Sequence, residues 1–371
     1  MVTPSDPDVL SFLSPDGRFL ASCHSLRCIS LFNIKTRLPA GQLRFDDVHG
    51  NFKHIAWTDN STFVIVDSRG EVIQVDVLPD LSPLWNPRPK HLASFSIVRP
   101  QDQNSGSACG FCYDPASDLF ALGLSGEVQI WSGARERSWT LVETIPCGHN
   151  ARGPFWILDS MAFVNDGRLV IMTHYASIWV GVGKNFVWQE INAEDGFTSC
   201  VVSPNKRSIA CGTSDYIVYV WPVHDERPYL GDSAHEPFVF KIPTGREWLE
   251  GADVGTTPLS YLDDESILTA DPIGTVYVIT PRGETKHRFS VGQNYFIRTI
   301  TAHESMVYIT AIGPLCTTML LGYTDDMVVH LRAASGPLEP DYNYSDPCGI
   351  FQAVNLKMPR TGQTGCSPFA A

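Results

Sequence analysis

The 371-residue chain is short of several things, and each shortage excludes a class of protein. It has no uninterrupted apolar run of about 18–20 residues, so no membrane-spanning helix is expected. It has no basic block: 27 Lys and Arg stand against 40 Asp and Glu, a formal net charge of -13. Binding to a nucleic-acid backbone rests on clustered Lys and Arg, so direct nucleic-acid binding is not expected. The start, Met1–Leu10 (MVTPSDPDVL), has neither the basic opening nor the apolar stretch of a signal peptide. No stretch sustains a helical period. The phosphate-loop lysine motif, G-x-S-x-G and H-E-x-x-H are all missing. One CxxC occurs, Cys109–Cys112, with no second copy to complete a zinc site.

What the chain does have is a phrase repeated seven times: a strand, a tight turn, an apolar strand, a small-residue break and a further apolar strand. The copies begin at Phe12, Ile55, Phe111, Met161, Cys200, Leu259 and Met306. One reference position per copy falls on Phe32, Val75, Trp131, Trp179, Trp221, Ile279 and Leu331, at intervals of 42 to 58 residues. The shortest intervals match the roughly 40–45-residue unit of a four-stranded propeller blade, and loops absorb the excess. The third copy divides into strands at Ala108–Tyr113, Leu119–Leu124, Glu127–Trp131 and Thr140–Ile145. The first turn of a copy is chemically specified: Ser14-Pro15-Asp16-Gly17, Asp114-Pro115, Asn165-Asp166-Gly167 and Ser203-Pro204-Asn205. Proline presets φ at the second turn position, while Asn, Asp and Gly tolerate the backbone conformations of the later positions. The central strands, rich in Val, Ile and aromatics and poor in charge, suit sheets covered on both faces.

SPDGRFLASCHS, SPNKRSIACGTSDYIVYVW and GYTDDMVVHL resemble WD repeats, from Ser14, Ser203 and Gly322 respectively. The resemblance implies an all-β fold: a single seven-bladed β-propeller of four-stranded antiparallel blades. Residues 1–8 read as a leader, 9–333 as the propeller and 334–371 as a tail. Within the tail, Ile350–Leu356 is expected to pair as the outer, closing strand of the seventh blade, and 357–371 to be disordered. The family's structural set of His, Ser or Thr, Asp and Trp is incomplete. Thr213 or Ser214, Asp215 and Trp221 fill it in the fifth copy without the His, and Trp131 and Trp179 keep the Trp position in the third and fourth. Blade stability is therefore expected to come chiefly from apolar packing, since a buried aromatic contributes about 2–3 kcal/mol against about 1 for a neutral hydrogen bond.

Other groupings read as structural. Cys109 and Cys112, in a strand, point to opposite faces. Cys23, His24 and Cys28 span a turn where small and polar residues belong. Asp263-Asp264-Glu265 and Asp325-Asp326 occupy turns, and no calcium-loop string is present. No metal, cofactor or catalytic residue is assigned. A channel site drawing on His54, His149 and Asp215 has nothing in the sequence pointing to it.

The function expected is a non-catalytic interaction platform, a scaffold or adaptor binding partner proteins or peptides on the propeller rim. It would act as a monomeric propeller within a complex. Aromatic and Arg side chains make the best interface anchors. On the rim carrying the turns between second and third strands these are Arg69, Arg152, Trp156, Tyr175, Tyr216, Arg246 and Trp248. For Trp156 and Trp248 the stronger reading is that they pin their own long loops onto the propeller. Two alternatives stand beside this reading: a sensor module related to a larger nucleotide-binding signalling protein, and a hydrolase-like propeller enzyme with a central-channel site. Ten scattered cysteines, most in strand phrases, suit a reducing compartment, cytoplasm or nucleus.

Overall fold

The computed structural model describes residues 10–25, 28–35, 38–45, 52–77, 110–124, 127–136, 138–146, 158–164, 167–173, 177–182, 185–190, 196–223, 237–243, 257–290, 296–303, 306–312, 318–324, 327–332 and 352–357. These residues form seven antiparallel sheets, each laid down in chain order. Sheet 1 holds β1 (Leu10–Leu13), β2 (Phe19–Ser25), β3 (Cys28–Asn33) and β4 (Leu38–Arg44). Sheet 2 holds three described strands, β5 (Phe52–Trp57), β6 (Thr62–Asp67) and β7 (Val72–Asp76). Sheet 3 is β8 (Gly110–Asp114), β9 (Leu119–Leu124), β10 (Glu127–Ser132) and β11 (Thr140–Pro146). Sheet 4 is β12 (Leu158–Phe163), β13 (Leu169–Thr173), β14 (Ser177–Val182) and β15 (Asn185–Glu190). Sheet 5 is β16 (Phe197–Val202), β17 (Ser208–Thr213), β18 (Ile217–Pro222) and β19 (Phe238–Lys241). Sheet 6 is β20 (Leu259–Asp263), β21 (Ser266–Ala270), β22 (Thr275–Ile279) and β23 (Thr285–Ser290). Sheet 7 has five: β24 (Phe296–His303), β25 (Met306–Ile312), β26 (Thr318–Thr324), β27 (Met327–Arg332) and β28 (Gln352–Lys357).

The first strand of each sheet lies against the first strand of the next, from β1 through β5, β8, β12, β16 and β20 to β24, and β24 returns to β1. The sheets therefore stand around a common centre, with first strands innermost and fourth strands outermost. This is the propeller arrangement implied by the repeat. Burial follows the same order. Every residue of β6 and β21 is buried, whereas the outer β19 and β23 are largely exposed.

Packing explains the low charge of the central strands. One apolar layer joins Phe19, Ile29 and Leu31 of sheet 1 to Ile55, Phe63 and Ile73 of sheet 2. Equivalent layers fill the gaps between sheets 2 and 3, 3 and 4, 4 and 5, 5 and 6, and 6 and 7. A strand whose two faces both meet such layers has no solvated side on which to place charge. In sheet 5, Trp221 is 1% exposed, stacked on Tyr219 at 5.7 Å and edge-on to Phe197 at 6.0 Å. Trp131 of sheet 3 is only half-buried and stacks on Phe120 at 6.2 Å. Trp179 pairs in register with Trp188 across β14 and β15.

The strands of the third copy fall within two residues of their sequence positions. The seventh copy needs a correction of phase. Its phrase from Met306 supplies the second, third and fourth strands of sheet 7, and the first is β24, whose Phe-Ile-Arg-Thr-Ile-Thr-Ala-His alternates polar residues into the pattern. Sheet 7 therefore has four strands before the tail arrives, and β28 pairs with β27 as a fifth. Residues 1–9 and 358–371 lie outside the described residues.

Candidate functional site

In sheets 2, 5 and 6, where both turns are among the described residues, the turn joining first and second strands lies on one face of the ring and the turn joining second and third strands on the other. On the first face, several of the described turns are closed by their own side chains. At Ser14–Phe19, the Ser14 hydroxyl donates to Asp16 Oδ1 at 2.8 Å and accepts from the Phe19 N–H at 2.9 Å. At Ser203–Ser208, the Ser203 hydroxyl donates to Asn205 Oδ1 at 2.8 Å and accepts from the Ser208 N–H at 2.9 Å. Both turns place their fourth residue in the left-handed region, Gly17 at φ 67° and Lys206 at φ 58°. Lys206 then reaches from sheet 5 to sheet 3, where its Nζ lies 2.7 Å from Asp114 Oδ1. Asp114 is 4% exposed and also accepts from the Ser117 hydroxyl at 2.7 Å and the Ala116 N–H at 3.2 Å. Burial pushes the Asp114 carboxyl up, but Lys206, Ser117 and Ala116 outweigh it and hold it below its ordinary value of 3.8. Asp264, in the acidic turn of sheet 6, accepts from the Asn205 N–H at 2.9 Å, and Asp263 from the Glu265 N–H at 2.8 Å. The carboxylates of the Asp263–Glu265 group are exposed, and those of Asp263 and Asp264 accept from backbone N–H groups.

The opposite face is built on carboxylates and hydroxyls that fold their own turns. Asp67 Oδ1 accepts from the N–H groups of Arg69 at 2.9 Å and Glu71 at 2.8 Å. Asp271 Oδ1 accepts from Ile273 at 3.0 Å and Thr275 at 2.7 Å, and its Oδ2 from the Tyr277 hydroxyl at 3.2 Å. In sheet 5 the same place is held by Thr213, whose Oγ1 accepts from the Ile217 N–H at 3.3 Å. Asp215, which the resemblance puts at the structural Asp position, sits instead at the apex of that turn and is partly exposed. A side-chain acceptor at the first turn position bonds N–H groups two and four residues on, and this fixes the turn. Asp67 differs from Asp271: its Oδ2 is buried with no hydrogen-bond partner among the described residues. Burial raises its carboxyl above the ordinary value, against the opposing Glu71 and Arg69 N–H groups.

Thr257 ties this face of sheet 5 to sheet 6. Its hydroxyl donates to the Thr213 carbonyl, its N–H donates to Thr198 Oγ1 at 3.2 Å, and its carbonyl accepts from Ser199 Oγ. Gly212 lies beneath this cluster, where an added Cβ would come within 2.7 Å of both Ser199 Oγ and Thr257 Cβ. Sequence reading missed Thr257 because it lies in a connecting segment and none of its three bonding partners is nearer than 44 residues.

Of the rim residues, Arg69 is exposed in the β6–β7 turn held by Asp67. Tyr216 is 7% exposed and packs in the layer between sheets 5 and 6 with Val218, Ile242 and Tyr277, so its ring is not offered at the surface. Arg152, Trp156, Tyr175, Arg246 and Trp248 lie outside the described residues, as do His149, Asp325 and Asp326. No group of three or more His, Cys, Asp or Glu gathers for a metal among the described residues. Burial pushes the thiols of Cys112 and Cys211 well up, so both act as small apolar groups.

Sheets ringed about a centre with their turns gathered on two faces define a β-propeller. Among solved structures, the chain is similar to the β-propeller domain of Cps50 (Swd1) from Myceliophteria thermophila, at a TM-score of 0.59 and 13% sequence identity, over 85% of this chain and 95% of that one. A likeness at that identity establishes the fold and nothing finer. No family model matches the sequence, and no curated protein matches it.

Proposed function

We propose that the chain is a seven-bladed, WD-repeat-like propeller that works as a non-catalytic platform for partner proteins or peptides. The partners bind the face carrying the turns between second and third strands. The observation that carries this is Arg69, exposed on a β6–β7 turn whose backbone is held by the buried Asp67 carboxylate. A turn whose backbone is already fixed loses little further freedom on binding. The net charge of -13 favours protein over nucleic-acid partners. Free thiols at Cys112 and Cys211 suit the cytoplasm or nucleus.

The test is affinity capture from native extract with the wild-type chain beside an Arg69→Ala/Arg152→Ala/Arg246→Ala variant. Partners lost selectively in a variant that melts like wild type support the rim platform. Partners retained unchanged, or none specific to the wild type, overturn it.

A further inference from the structure

We propose that the outer edge of β27 is a strand-docking site, filled by the chain's own Gln352–Lys357 and open to exchange with an extended segment of the same chemistry from a partner protein. This adds a surface to the platform and does not rest on the rim.

Four observations lead there. The ring closes through β24 against β1, a contact separate from the β27–β28 pairing. Among the described residues, sheets 1, 3, 4, 5 and 6 have four strands each; sheet 7 alone carries a fifth, added after its own four are complete. The pairing is regular and antiparallel, from Met327 opposite Lys357 to Arg332 opposite Gln352, so main-chain bonds can form along the whole of β27. Finally, β28 is joined to β27 through residues 333–351, whereas β26 and β27 are joined through residues 325–326 alone.

Connector length is what makes the site exchangeable. A short hairpin holds its second strand at a concentration no free competitor reaches. A connector of this length sets the effective concentration at about millimolar, within reach of a partner. β27 is the chief contact of β28. In strand addition the main chain supplies affinity, and side chains at alternate positions supply specificity. The fitting partner is thus an extended, proline-free segment with branched apolar residues two apart, as at Val354 and Leu356.

The test uses a fluorescent peptide of residues 350–358 and three chains: full length, a truncation lacking 350–371, and full length with Ala353→Pro/Val354→Pro. Neighbouring residues of a strand direct their N–H groups to opposite sides, so the double substitution removes one ladder donor whichever residue bonds β27. The expected result is cooperative unfolding of all three chains, with saturable peptide binding to the truncation and the double variant. Binding to the full-length chain should be at least about tenfold weaker, and a scrambled peptide should bind none. Folded variants that ignore the peptide overturn the proposal. So does failure of both variants to fold, which would make β28 an obligatory part of sheet 7. Because no rim partner enters the assay, its outcome is separate from that of the capture experiment.

Discussion

Two turns of nearly one sequence, Ser14-Pro15-Asp16-Gly17-Arg18 in sheet 1 and Ser203-Pro204-Asn205-Lys206-Arg207 in sheet 5, fold alike and are used differently. Their serine and Asx hydrogen bonds agree to within 0.1 Å for the two serine contacts. They part at the fourth residue. In sheet 1 it is Gly17, and an added Cβ would sit 2.2 Å from Cδ2 of His303 at the end of β24. The glycine is required twice, by its positive φ and by the closeness of sheet 7 at the seam where the ring closes. In sheet 5 the same backbone conformation is held by a lysine, which has a Cβ and is strained there. What the lysine gains is Asp114, two sheets away. The same turn geometry therefore yields a close-approach point in one sheet and a brace in the other.

The largest effect expected comes from making the turns alike. Gly17→Lys should destabilise by about 2–3 kcal/mol, because His303 must move and the new residue inherits a left-handed φ. Thermal and denaturant unfolding check this, and an unchanged midpoint would show that the seam is looser than the close approach implies. Next is Lys206→Ala, which leaves Asp114 buried and short of a partner. With the lysine about a third exposed, the loss should be about 1–2 kcal/mol. The same variant carries a pH signature. The Asp114 carboxyl is held below 3.8, so its stabilisation is present above that pH and is lost as pH falls through the depressed value. Without Lys206 the carboxyl loses the first of the influences that lower it, and acid unfolding should begin at a higher pH than in wild type.

Ser14→Ala and Ser203→Ala should each cost about 1 kcal/mol, and by similar amounts, since each hydroxyl closes the same pair of bonds. Unequal costs would mean that the shared geometry hides a difference in packing. The smallest effect separates strain from charge. Lys206→Gly loses the same ion pair as Lys206→Ala but relieves the left-handed backbone, and should be the more stable of the two by about 0.5–1 kcal/mol.

Much of the fold was legible because both faces of the second strands of sheets 2, 3 and 6 are buried, and that demand is written directly into TFVIVD, LFALGL and SILTA. The turns were legible because Ser-Pro-Asx performs the same bonding wherever it occurs. The seventh sheet was misphased because its innermost strand carries Arg298, Thr299 and Thr301 among its apolar residues and does not read like the others. The site was less legible. Tyr216 looks like a rim aromatic in sequence, yet the approach of sheet 6 buries it. Asp215 looks like the turn-forming residue, yet Thr213 accepts the turn's hydrogen bond. Nothing local distinguishes Asp67, with one oxygen unpartnered among the described residues, from Asp271, whose second oxygen meets Tyr277.

By itself the sequence determined the strand period, the turn chemistry and the absence of charge from the central strands, because each depends on residues within a few positions of one another. Only the tertiary structure decided that Lys206 meets Asp114 across 92 residues, that Gly17 lies against His303 and that the tail adds to a sheet already complete. Those contacts join parts of the chain brought near each other by the closing of the ring, and no local pattern encodes which sheets come to be neighbours.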